Sequence, residues 1–375
     1  MQLDILAGFR QHFSIIKDPR LDRKRLHNLQ EIIITAVVAV ICGCDNFCEI
    51  QEFAEERIVW FKRFLLLKNG IPSHDTYCRV FAILDPKEME LAFISWMKSI
   101  TALSKGEVVA LDGKALRGSA EKGTKKQAIH IVSAWASENG VALGQVKTSE
   151  KSNEITAIPE LIKLLNLEGC IVTIDAMGTQ KKIAKSIRDA KADYLLALKG
   201  NQGQLRRDVE YSFETAEEAD YEGVESDCFS ELSKGHGRTE TREYKILKKL
   251  DWFPEKEAWQ DLKSICMVTC TRTVSGKTSQ ETRYYISSLS GDAEKIGKAI
   301  RSHWSIENNL HWSLDVSFAE DACQTKRLYG PANFSVLRKI AINLVKKENS
   351  KKAGITRKRK RAGWSESYLE KILTC

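Results

Sequence analysis

The chain has 375 residues, 43% of them hydrophobic and 29% charged, and its 58 Lys and Arg against 50 Asp and Glu leave a formal charge of +8. That length buries a sizeable core and divides into two or three domains, and the basic balance favours a polyanionic partner. The longest apolar run, Ile32 to Gly43, is shorter than the roughly 20 residues of a membrane span, so it reads as a buried helix with no membrane partner. The opening MQLDILAGFR lacks the basic start, apolar stretch and cleavage site of an export signal, so a cytoplasmic location is expected. Ten scattered cysteines then read as reduced thiols. Cys42, Cys44 and Cys48 come closest to a zinc cluster, but they lack a CxxC pair and a spaced second pair.

From Leu26 to about Leu103 the pattern is helical, with an apolar helix through Ile32 to Ile41, an amphipathic one around Phe53 to Leu67, and a third after Asp85-Pro86. Asp85 caps that third helix and Pro86 takes its first position. An all-helical N-terminal domain over residues 1–104 follows. Just ahead of these helices, Lys17, Arg20, Arg23, Lys24 and Arg25 form a basic cluster, which fits a solvated face or a DNA contact equally.

From Glu107 the period changes to strands: Val108 to Gly113, Ala128 to Trp135, and Val141 to Thr148 after a turn at Asn139-Gly140. A helix over Ile158 to Leu167, the strand Cys170 to Ala176, a helix over Lys181 to Ala190 and the strand Asp193 to Gly200 complete the series. A meander followed by alternating helices and strands predicts a mixed α/β sheet with parallel strands in its middle, the layout of a ribonuclease H-like fold. Residues 203–290 break the alternation and read as a β-rich insertion within a catalytic domain spanning 105–345. A long helix resumes at Asp292, with Ile296, Ile300, Trp304, His311 and Leu314 on one stripe and Glu307 among them. Residues 346–375 form a basic C-terminal segment.

Three acids stand where a solvated fold does not place them. Asp112 ends the apolar run Val-Val-Ala-Leu, Asp175 ends Ile-Val-Thr-Ile, and Glu307 lies on an apolar helical stripe. A carboxylate in such a place is paired or ligates a metal. Strand-end capping for the aspartates and an inter-helix ion pair for the glutamate are the structural alternatives. Three converging carboxylates fit two Mg²⁺ ions, with Mn²⁺ as a substitute, and the cleavage of phosphodiesters.

The motifs ALDGK (from Ala110), KSNEITAIPEL (from Lys151), TIDAMGTQ (from Thr173), LKGNQ (from Leu198), KGHGRTETR (from Lys234) and HWSIENNLHWSLD (from His303) together resemble the ISAs-type transposases of bacterial insertion sequences, including the H-repeat-associated proteins. The match covers nearly the whole chain. It implies a ribonuclease H-like domain with a DDE triad at Asp112, Asp175 and Glu307. It also implies double-stranded DNA as partner, at element ends and target, with self-association in a paired-end complex and a cytoplasmic, nucleoid-associated location. The wider set of DDE transposases carries Tyr, Arg and Lys around the glutamate. Here Ile300, His303 and Leu314 take those positions, so those roles do not carry over.

Candidate DNA contacts are Lys114, Lys151, Asn153, Lys199, Asn201, Gln202, His236, Arg238, Arg301 and His303, with the terminal run Arg357, Lys358, Arg359, Lys360 and Arg361 as an electrostatic clamp. Plain turns explain the loop residues as well, and His303 and His311, one helical turn either side of Glu307, either orient that acid or pack beside Trp304 and Trp312. The expected activity is hydrolysis at element ends followed by strand transfer. A nuclease without strand transfer and a non-catalytic DNA-binding descendant are the alternatives.

Overall fold

The structure is a computed structural model and describes residues 7–120, 127–148, 154–235 and 237–374. Helices α1 (Ala7–Phe13), α2 (Leu29–Ile41), α3 (Phe47–Glu56), α4 (Ile58–Phe61), α5 (His74–Ile83) and α6 (Pro86–Ile100) come first. As the sequence predicts, α2 is apolar all round and buried from Ile32 to Ile41. Asp85 caps α6 by accepting the Lys87 N–H, with Pro86 at the first position. The expected single helix over Phe53 to Leu67 is instead α3 and α4. They part at Arg57, whose backbone leaves helical geometry and whose guanidinium donates to Glu366 and the Gly363 carbonyl.

Next come β1 (Val108–Leu116), β2 (Ile129–Ala136), β3 (Val141–Lys147), α7 (Glu154–Leu164), β4 (Ile171–Ile174), α8 (Lys181–Asp189), β5 (Asp193–Leu198), α9 (Gly203–Glu218), β6 (Glu225–Gly235), β7 (Arg238–Lys248), β8 (Ser264–Val274) and β9 (Lys277–Ser287). The described strands form one nine-stranded sheet in the order β3-β2-β1-β4-β5-β9-β8-β7-β6. The first three are an antiparallel meander, and β1, β4 and β5 run parallel in the middle, as expected. The β-rich stretch is not a separate module. Its strand β9 pairs antiparallel with β5, so the four strands extend the same sheet.

Helix α10 (Ala293–Ser305), a π-helical turn (Ile306–His311) and α11 (Trp312–Phe318) follow, then α12 (Gly330–Lys347), α13 (Ile355–Trp364) and α14 (Glu366–Leu373). Side chains alternate across a strand, and the two cores show it. Val108, Ile171 and Leu195 pack with Ile296 and Ile300 of α10, whereas Val109, Val172 and Leu196 join the larger core shared with α2, α6 and α12. The N-terminal helices therefore share one core with the sheet's other face. The alternation also puts residues 112 and 114 of β1, and 173 and 175 at the end of β4, on the α10 side.

Candidate active site

Strands β1 and β4 lie side by side with Leu111 opposite Ile174, so the next residues, Asp112 and Asp175, are neighbours at the sheet's middle. Strand β1 does not end at Asp112 but runs on to Leu116, and Asp112 pairs with Ser133 of β2. At Asp175 the strand does end, and Oδ1 accepts the N–H groups of Met177 at 3.1 Å and Gly178 at 3.4 Å. Asp175 thus caps a turn as well as facing the site.

The helix carrying Glu307 is not straight. The Trp312 N–H reaches the Glu307 carbonyl five residues back, a widened turn of the kind common at functional sites. That extra residue moves the phase: Ile306, Leu310, His311 and Leu314 are buried, while Trp304 is 47% exposed. The Glu307 side chain is likewise 52% exposed. Glu307 therefore stands at the rim of a cavity, not on the buried stripe expected from the sequence.

One cavity of about 360 Å³ is lined by Asp112, Asp175, Glu307, His303, Trp304 and Lys199. Ligand atoms of Asp112, Glu307 and the buried His311 all lie within 4.8 Å of one another. His311 Nδ1 is 3.4 Å from Asp112 Oδ2 and 3.6 Å from Glu307 Oε2. Burial, with the charges of Glu307 and Asp175, pushes the Asp112 carboxyl up to about 8. His311 above all holds the Glu307 carboxyl below its usual range. The two neighbouring carboxyls are thus pushed in opposite directions, Asp112 up and Glu307 down. Burial lowers His303 as well, and its Nδ1 lies 2.9 Å from the Thr173 hydroxyl.

The structure divides the expected DNA contacts. Lys199 is exposed on the cavity wall. Asn201 donates to the Ala176 carbonyl and Gln202 to the Thr179 carbonyl, both at 2.6 Å, so both brace the turn behind Asp175. Arg238 and Arg301 line an adjoining cavity of about 630 Å³ and face Glu240 at 3.2 Å and Glu231 at 3.4 Å. Lys151, Asn153 and His236 lie outside the described residues.

Three expectations need correction. Lys114 is not free for phosphate, because its ammonium is held by Asp315 and by Glu320 at 3.1 Å. Lys358 is buried against the carbonyls of Val345 and Glu348. Arg359, 3% exposed, donates to the Val40 and Ser317 carbonyls and to Asp45. The basic run is a helix, α13, that turns these two inward and leaves Arg357, Lys360 and Arg361 exposed. In the N-terminal cluster, Arg20 is likewise taken up by Asp18 and the His27 carbonyl.

Sequence reasoning passed over Glu154. Its carboxylate leans on Gly113, where any Cβ meets it, and burial with the charge of Asp175 raises it above its ordinary range. The available signal was a glycine inside a strand beside the first acid, which marks a close approach.

Comparison with known proteins identifies the family of the chain. Residues 103–344 match the family described as "Transposase DDE domain", and residues 10–97 match "DDE_Tnp_1-associated". The chain is 44% identical to "Putative transposase YncI" of Escherichia coli O157:H7, over 96% of this chain and 93% of that one. It is 39% identical to "H repeat-associated putative transposase YhhI" of Escherichia coli strain K12, over 98% of each. A cryo-EM structure of the piggyBac transposase synaptic complex with hairpin DNA aligns with TM-score 0.46 and 13% identity, covering 100% of this chain and 82% of that one. The chain belongs to the insertion-sequence transposases with a DDE domain.

Proposed function

We propose that the protein hydrolyses phosphodiesters at the ends of a bacterial insertion sequence and transfers the freed 3′ strand to target DNA, with Asp112, Asp175 and Glu307 as the metal-holding acids of a ribonuclease H-like domain. The observation that carries this is the convergence of Asp112 and Glu307, from distant parts of the chain, into one ligand cluster with Asp175 beside it on the adjoining parallel strand. The donor set fits divalent cations. Asp112 Oδ2 is buried without a hydrogen-bond partner, a cost of about 1–3 kcal/mol that a hard cation removes. Two Mg²⁺ ions, or Mn²⁺ in their place, supply an activated water or hydroxyl and relief of charge on the phosphate and leaving oxygens.

The chain's own side chains do the rest. Asp112 and Asp175 hold the ions from the rigid sheet, and Glu307 completes one of them from the rim. Lys199, on the same cavity wall, contacts phosphate oxygens, while Asn201 and Gln202 fix the turn that carries Asp175. No covalent enzyme intermediate is required. Double-stranded DNA from element ends and target is the substrate, held by a paired-end complex of at least two copies in the cytoplasm at the nucleoid.

The test is to incubate the protein with Mg²⁺, DNA bearing the sequences that flank its reading frame, and a target plasmid. Joined strand-transfer products are expected. Cut ends without joining favour a nuclease, and absence of both favours a non-catalytic DNA-binding protein.

A further inference from the structure

The triad does not account for His311. Its side chain is buried, 7% exposed, and its Nε2 is enclosed without a hydrogen-bond partner. Its other nitrogen, Nδ1, points between Asp112 and Glu307 at 3.4 Å and 3.6 Å. Those separations exceed the usual 2.7–3.2 Å of N–H···O hydrogen bonds. They are close to the roughly 3.0–3.4 Å between two donors that each stand about 2.1 Å from one ion. Glu307 and His311 also have the i, i+4 spacing with which a helix presents two ligands to one metal.

We propose that His311 is a ligand of the divalent ion held by Asp112 and Glu307, which makes this centre a mixed carboxylate–imidazole site. The proposal rests on the reading that these acids hold a divalent cation. Asp175, on the neighbouring strand, belongs to the all-oxygen part of the site. The consequence is metal preference. Oxygen donors alone suit Mg²⁺, whereas an imidazole nitrogen favours first-row transition ions. The nitrogen-bearing position therefore binds Mn²⁺ more tightly than Mg²⁺, and removing the imidazole weakens Mn²⁺ more than Mg²⁺.

Pulsed electron paramagnetic resonance of Mn²⁺ bound to the full-length protein tests this without an activity readout. The expected spectrum shows a directly coordinated nitrogen whose coupling changes when the histidines carry ¹⁵N. That coupling disappears in His311→Gln and persists in His303→Gln. In direct titrations, His311→Gln lowers Mn²⁺ affinity about tenfold or more and Mg²⁺ affinity by less than about threefold. Bound Mn²⁺ without nitrogen coupling, coupling lost in His303→Gln instead, or equal loss for both ions overturns the assignment and leaves the carboxylate reading standing. Failure of the wild-type protein to bind Mn²⁺ overturns both. Should His311→Gln not fold, the labelled wild-type and His303→Gln spectra decide by themselves.

Discussion

The Glu154 carboxylate occupies the space into which a side chain on residue 113 would project, so Gly113, directly after Asp112, is glycine for room and not for backbone freedom. Gly113→Ala is expected to drive Glu154 off β1 and to shift Asp112 with it. Misplacement on the scale of an ångström lowers turnover about 100-fold. The thermal transition should fall as well, and Gly113→Ala combined with Glu154→Ala should recover most of that fall, because the methyl then meets no carboxylate. Equal stability loss in the single and double variants contradicts the contact.

Asp112 sets a pH dependence in chelator. Its carboxyl is raised from 3.8 to about 8, so between those values the folded state holds a proton that the unfolded state has released. Stability contributed by this group is therefore undiminished below about pH 4 and falls as pH rises toward 8. Asp112→Asn should remove that slope and raise the melting temperature at pH 8 in EDTA by a few degrees, on the order of 2 kcal/mol. Mn²⁺ should then stabilise the wild-type protein and not the variant. Parallel pH–stability curves for the two proteins oppose this.

Lys114 is a structural cation. Burial pushes Glu320 up, and Lys339, Lys114 and Arg338 outweigh it and hold that carboxyl at about 2. Lys114→Met is expected to destabilise the fold by about 3 kcal/mol, since it withdraws a partner from a buried charge. Chemical denaturation measures this. DNA affinity of the folded fraction should keep its salt dependence, and a loss of slope instead would restore Lys114 as a phosphate contact.

The terminal basic helix separates into two roles. Arg359→Met should cost about 2–3 kcal/mol, because the Val40 and Ser317 carbonyls and Asp45 lose their donor. Replacing Arg357, Lys360 and Arg361 by alanine should leave stability within about 0.5 kcal/mol. The plot of log binding constant against log salt should lose about 2–3 units of slope. If the second variant binds DNA with unchanged slope, the exposed face of α13 is no clamp.

Where sequence period reflects burial on one element, the fold was legible. The β1–β2–β3 meander, the Asn139-Gly140 turn with its positive φ at Gly140, and the parallel middle strands follow from apolar runs and turn residues. Asp112 and Asp175 were legible as candidates because both follow buried apolar strand residues. Glu307 was chosen as a candidate on a stripe that assumed an unbroken 3.6-residue period, and a widened turn leaves no mark in residue pattern. Of the residues placed on that stripe, His311 is buried as expected, whereas Trp304 is half-exposed. Strand β6 was missed because its one packed side is mostly polar, with Phe229 its largest apolar residue. Arg359 and Lys114 show the remaining limit: composition shows a charge, but only the fold supplies the carbonyls and carboxylates that take it up.

On the proposed function, Asp112 belongs to a metal-dependent strand-transfer centre. The most direct measurement is the rate of joined-product formation by wild type and Asp112→Asn on flanking-sequence DNA with Mg²⁺, each first shown to be folded. The expected result is joining by the wild type, none in EDTA, and a rate at least about 1,000-fold lower in the variant. Equal rates for the two proteins would contradict it.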